Sequence, residues 1–328
     1  MSTTNTAATS AATERYARVI EVSKRVRWEI ERDVFRGRSF DYSKTFLPSG
    51  LSLVNELEFL SAADKRLLSQ VQGRTYAYIF GLVERFIAAK ALDLGRAHAF
   101  GDQTALQAIV RMSDEEIRHQ EMFRRLEATM AADMPAGYVQ TADPDAVAQV
   151  VLGKSDWAVI ALTLDIELFT QAHYRASIDP DANLSELWKD VFLFHWKEEA
   201  HHATLDELEL ARADAKLSKA ERDAAVGDLI DLVVAVDGIL QAQARADADY
   251  FIAIVGTPFT GAQREQIADT VLKAYRWQYI VSGVMEPRFQ KNLFALVDEE
   301  QAARIHKALA PLTYAVPRQP EVPLPLAA

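Results

Sequence analysis

The sequence has no cysteine. That excludes disulfides, thiolate metal ligands and cysteine nucleophiles, and it fits a cytoplasmic, reducing location. No uninterrupted apolar run approaches the roughly 18–20 residues that a membrane-spanning helix needs, so no membrane partner is expected. Basic charge is in short supply: 36 Lys and Arg stand against 47 Asp and Glu, for a net charge of −11. Such a balance does not neutralise phosphates and argues against nucleic acid as a partner. No alternating strand pattern of any length is visible, and no flavin, nicotinamide or iron–sulfur motif. Residues Met1 to Thr13 lack the basic start and apolar core of a secretory signal.

What is present is helical periodicity. Apolar residues make up 49% of 328 and charged residues 25%, which suits a globular chain with a sizeable core. The chain reads as all-α. A first amphipathic helix is expected from Thr13 to about Arg36, and a short one from Leu53 to Leu60. Ser61 caps a long helix to about Leu94, and a second long helix runs from about Asp102 to Met130. Ala131 to Gly153, with Pro135 and Pro144, reads as a connection between helix pairs. Ser155 caps a helix to about Ser177, and another starts near Asn183 or Ser185 and runs to about Arg212. The capping boxes Ser218-x-x-Glu221 and Thr260-x-x-Gln263 open helices to about Ile254 and Met285. A last helix is expected from Phe289 to about Ala310. The expected organisation is a disordered tail over 1–12, one helical domain over 13–315 and a Pro-rich tail over 316–328. Within the domain, a bundle core falls at about 60–212 and extra helices at 218–310.

The chain is organised around His195-Trp196-Lys197-Glu198-Glu199-Ala200-His201-His202, which holds three of its seven histidines. On a helix, His195, Glu199 and His202 fall within roughly 60° of one another. Glu199-x-x-His202 is the spacing by which one helix hands a carboxylate and an imidazole to a single metal. Glu116-x-x-His119 repeats it. Glu84 precedes Glu116 by the same interval as Glu167 precedes Glu199, and both Glu84 and Glu167 sit in apolar runs. An unpaired carboxylate there is costly, and a metal would relieve the cost. The bland alternative is a salt bridge, for which Arg85 is adjacent.

Glu198-x-x-His201 has the same spacing, but aligning the repeats places His201 on Arg118, which is no ligand. That alignment favours Glu199 and His202, with Glu115 and Glu198 left to pair with bases. His195 falls on Met112. It is either a further ligand, giving one metal two histidines, or a histidine behind the ligands. His173 is expected outside the cluster, and His98 and His306 in loop and surface positions. Tyr76, Tyr78, Phe80, Phe169 and Trp196 either line a substrate pocket or are plain core. Carboxylate and imidazole without sulfur suit iron or manganese.

The pattern resembles ferritin-like di-iron carboxylate proteins with a four-helix bundle. The set Glu84, Glu116, His119, Glu167, His195, Glu199 and His202 is similar to the ligand set of the p-aminobenzoate N-oxygenase family. The resemblance covers about residues 60 to 212. It implies two iron ions held by four glutamates and three histidines, and an oxygenase that uses dioxygen to oxidise a small organic substrate such as an arylamine. It also implies an external electron donor, since the chain carries no redox motif of its own. A homodimer is compatible with the extra helices. The competing expectations are a ferritin-like metal-handling or peroxide-scavenging protein with two manganese or mixed iron and manganese ions, and a helical interaction protein with a vestigial site.

Overall fold

The structure, a computed structural model, describes residues 3–317, with side chains described from residue 11 onward. Most of the expected Pro-rich tail, from residue 318, lies outside the described residues. The described residues are all-α, and the one β-type pairing among them is an isolated bridge between Thr45 and Leu184. None of their helices is long and apolar enough to cross a membrane.

Helix α1 spans Thr3–Arg25, α2 Ala62–Gly95 and α3 Gln103–Asp133; α4 is Pro144–Leu152, α5 Asp156–His173 and α6 Glu186–Asp214. The chain continues through α7, Lys219–Ile254, α8, Gly261–Arg276, α9, Pro287–Phe294, and α10, Glu299–Leu309. Helices α2 and α3 pack along each other, as do α5 and α6, and the two pairs meet through α3 with α6 and α2 with α5. Helix α1 lies across α3 and α6, while α7 covers α5 and α2.

The starts of these helices are written locally. Ser61 and Asp64 cap α2 reciprocally, and Ser218 with Glu221 and Thr260 with Gln263 do the same for α7 and α8. Asp102 accepts from the Thr104 and Ala105 N–H groups at the head of α3. Every residue of α2 from Leu68 to Phe80, and of α5 from Trp157 to Gln171, is buried. A helix apolar all round belongs at the centre of a bundle, and these two are central. Gly73 lets the chain come close there: a Cβ at this position would stand 2.7 Å from the Phe46 Cβ and 3.3 Å from the Trp188 ring.

Five boundaries differ from expectation. Helix α1 starts at Thr3, inside the stretch expected to be a disordered tail. It stops at Arg25 rather than Arg36. Glu29 is extended (φ −123°, ψ 135°), and a single π-helical turn, Ile30–Phe35, follows. The break turns Trp28 inward, where it is 2% exposed, so a tertiary contact outweighs local propensity. The connection at 131–153 contains α4: Asp143 caps it and Pro144 occupies its first turn, so part of the expected connection is a helix start. The expected last helix is two, because Asp298 and Gln301 form a capping box that starts α10. In place of a helix over 53–60 there are single turns at Ser49–Ser52 and Val54–Glu56.

Candidate metal centre

Four helices each bring donors to one buried point. Helix α2 supplies Glu84, α3 Glu116 and His119, α5 Glu167, and α6 His195, Glu199 and His202; all seven are buried. Their nitrogens and oxygens face one another in overlapping groups, each compact enough to hold a metal ion. Arg85 does not neutralise Glu84; it pairs with Asp145 at the surface.

The distances divide the cluster into two lobes. In one, His195 Nε2 lies 3.1 Å from Glu84 Oε1, and His119 Nδ1 lies 3.9 Å from Glu84 Oε2. In the other, His202 Nδ1 faces Glu167 Oε1 at 3.9 Å. Two carboxylates span both lobes. Glu116 directs Oε2 to His119 Nδ1 at 3.2 Å and Oε1 to His202 Nδ1 at 2.9 Å. Glu199 directs Oε1 to His195 Nε2 at 2.8 Å and Oε2 to His202 Nδ1 at 3.9 Å.

The outer nitrogens of two rings are held by carboxylates from the opposite repeat. His119 Nε2 donates to Glu198 Oε2 at 2.9 Å, and His202 Nε2 donates to Glu115 Oε2 at 3.0 Å. Each supporting glutamate is itself braced. Arg118 donates to Glu198 at 2.5 Å, and His201, its counterpart in the repeat, donates to Glu115 at 2.8 Å. A carboxylate on the outer N–H fixes which imidazole nitrogen points inward and makes it a better ligand. His195 has no such partner on Nδ1; its ring stands edge-on to Phe80 at 5.3 Å and Phe123 at 4.9 Å.

The donor set passes a direct test for a metal. Glu116 Oε1, Glu167 Oε2, Glu199 Oε1 and His202 Nδ1 are buried and make no hydrogen bond of good geometry, their close approaches to one another and to His195 being misdirected, and all belong to the inner cluster. Orphaned buried polar atoms are expensive, and here they converge. The buried Glu/His groups can hold a metal ion.

In the protein alone the charges are strained in opposite directions. Burial, then the neighbouring Glu116, pushes the Glu84 carboxyl well above the usual range, and burial pushes Glu199 up to about 7. Burial also acts to raise Glu116, but the adjacent His202 overrides it and holds that carboxyl well below. Burial disfavours charge on His119 and His202, yet their carboxylate neighbours, Glu116 foremost, raise both rings well above the ordinary value. Burial and the nearby His119 keep His195 neutral. Protons must therefore occupy the middle of the cluster unless a cation replaces them.

The remaining histidines sort differently. His173 lies outside the cluster. Tyr76 donates to its Nδ1 at 2.9 Å, and its Nε2 meets Ser282 Oγ at 2.8 Å. Burial lowers its pKa to about 3. His98 is not an ordinary loop histidine: it is buried against Glu209 Oε1 at 2.9 Å, which also accepts from Tyr16 at 2.6 Å. Of the aromatic candidates, Phe80 and Phe169 line a cavity, Tyr76 is core, Trp196 stacks on Tyr174, and Tyr78 donates to the Ala142 carbonyl. Sequence reading did not single out Ser23, which donates to Glu115, or Trp28, which stacks on His119 at 6.2 Å and an interplanar angle of 10°. Neither carries a spacing signal, because both arrive from α1 and its break.

Scanned against protein-family models, the chain matches none, and a search of curated proteins finds no match either.

Proposed function

We propose that this cluster is a dinuclear iron centre in a ferritin-like bundle, and that the protein is an oxygenase or oxidase that uses dioxygen to oxidise a small organic substrate. The observation that carries the reading is the pair of spanning carboxylates: Glu116 and Glu199 each turn one oxygen toward either lobe. Glu84, His119 and His195 would hold one ion, Glu167 and His202 the other, with Glu116 and Glu199 shared. Two ferrous ions bound there would supply electrons to dioxygen.

The chain's own residues set the conditions for that chemistry. Glu115 and Glu198 hold the outer N–H groups of His202 and His119, so both rings present Nδ1 without rotating. Phe80, Phe123 and Phe192 wall the His195 side and keep water away. Insertion of one oxygen atom into a substrate, with the other leaving as water, needs two electrons from an external donor. The resemblance to the p-aminobenzoate N-oxygenases supports an amine among the substrates.

The test is to load the full chain with ferrous iron without oxygen and then mix it with oxygen while following oxygen uptake and absorbance. Rapid uptake at about one dioxygen per iron pair is expected. No uptake by a fully loaded protein contradicts the reading. Retention of manganese with rapid peroxide breakdown would replace it with peroxide scavenging.

A further inference from the structure

The two supporting glutamates are braced by different chemistry. Arg118 holds Glu198 behind His119, while His201 holds Glu115 behind His202. A guanidinium stays charged and offers no lone pair, whereas a neutral imidazole can ligate a metal. The outer side of His202 therefore carries what the outer side of His119 lacks. Glu115 Oε2 stands 2.8 Å from His201 Nε2 and 3.0 Å from His202 Nε2, and the three atoms lie within 4.8 Å of one another. Atoms bound to one ion at about 2.1 Å stand roughly 3 Å apart, so a divalent cation fits among them with small adjustments. Among the described residues no matching group forms around Glu198.

This outer triad lies beneath α1. Ser23 of α1 donates to Glu115 Oε1 at 2.5 Å, and the half-buried Arg111 donates to Ser23. The triad and Ser23 are buried, but only by one layer: Asp114 and Ala200, next in sequence to Glu115 and His201, are exposed. The His202 ring divides the triad from the inner cluster. Its Nε2 faces Glu115, and its Nδ1 faces Glu116 Oε1 at 2.9 Å. A neutral imidazole has one bare nitrogen and one N–H. With an ion on Nε2 the N–H points at Glu116, and with an ion on Nδ1 it points at Glu115. Either state gives the N–H a carboxylate, so His202 can serve the two sides in turn.

We propose that Glu115, His201 and His202 form an outer site for a divalent first-row metal ion, through which the Glu167 lobe is loaded. Carboxylate and imidazole suit such an ion, and the Ser23 hydroxyl is at hand as a further oxygen donor. The ion binds His201, Glu115 and His202 Nε2, then moves to the Nδ1 side, after which both histidines resume their hydrogen bonds to Glu115. The charge of Arg111 beside Ser23 opposes long residence of the ion, as transfer requires. The Glu84 lobe, whose His119 is backed by Arg118, has no such port and fills second, past the shared Glu116 and Glu199. This rests on the inner cluster being a metal centre, and it adds the way in.

Metal-free full-length protein is mixed with cobalt(II) in the absence of oxygen, and the absorbance of the bound ion is followed in time. An early species that converts to the final spectrum is expected. His201→Arg copies the brace of the other half without a ligand, so the early species should vanish and filling should slow, with the final cobalt content retained. His201→Gln should do the same, so the result does not hang on one variant folding. Glu167→Gln spoils the inner lobe that His202 serves; it should keep an ion on the outer triad at equilibrium, and adding His201→Arg should remove one bound cobalt per chain. No early species in the natural protein, or one unchanged in both His201 variants, overturns the proposal and leaves the metal centre standing. No uptake of cobalt or ferrous iron at all overturns the metal-centre reading, and this proposal with it.

Discussion

Each repeat carries two adjacent glutamates with different work. Glu116 and Glu199 turn into the cluster, while Glu115 and Glu198 reach across to the histidine of the other repeat. The doubled Glu-x-x-His was legible because helical spacing alone puts both groups on one face. The crossed support was not, because it depends on how α3 and α6 meet. Glu115→Gln keeps the shape but weakens the acceptor for His202 and His201, so ferrous affinity should fall about 10–100-fold with the fold retained. Competition against a calibrated chelator, alongside the circular dichroism spectrum, reads both. His195 is where the two halves differ, since its counterpart is the buried Met112. His195→Met makes the lobes alike in having one histidine each and should weaken ferrous binding at the Glu84 lobe. Retention of two tightly held ions by that variant would show His195 to be a bystander.

Among the elements, helix existence was plain from periodicity and caps, and breaks were not. Trp28 ends α1 by turning in to stack on His119, a contact that no local pattern announces. Asp143-Pro144 and Asp298-x-x-Gln301 did carry start signals, but the short helices they open show little periodicity of their own. The grip between α2, α7 and α8 is a polar one. Asp247 accepts from Thr75 at 2.5 Å, from Gln243 at 2.9 Å and from the Tyr275 hydroxyl. Burial pushes its carboxyl up to about 7, from an ordinary 3.8, against the pull of these donors. Between those values the folded protein holds a proton that the unfolded chain has released. Stability from this group is therefore full below about pH 4 and lost as pH rises toward 7. Asp247→Asn removes that dependence. The melting temperature of the natural protein minus that of the variant should fall between about pH 4 and 7 and level off above, as thermal unfolding across pH would record.

At the scale of the molecule, the bundle gathers seven ionisable side chains at its centre, and the structure pairs the outer nitrogens of His119 and His202 while leaving several inner atoms bare. Bound cations would relieve that cost in the folded state alone, so they should add stability. Binding at a hundredfold excess over the dissociation constant contributes about 2.7 kcal/mol. Removing metal with a chelator should accordingly lower the melting temperature by several degrees, reversibly on ferrous iron addition, and a calorimetric scan of both forms measures it. The all-α architecture and the convergence of the four central helices were legible in the sequence because the ligand positions sit at equal intervals in two helix pairs. The cover of α1 and α7 to α10 was not, because amphipathic helices do not name their neighbours. The most direct test of a dinuclear centre is elemental analysis of the full chain after anaerobic loading with ferrous iron and desalting. Two irons per chain are predicted, falling to one or fewer in Glu116→Ala, which takes away a carboxylate common to both lobes. A natural protein that retains no iron after loading would contradict the account at its base.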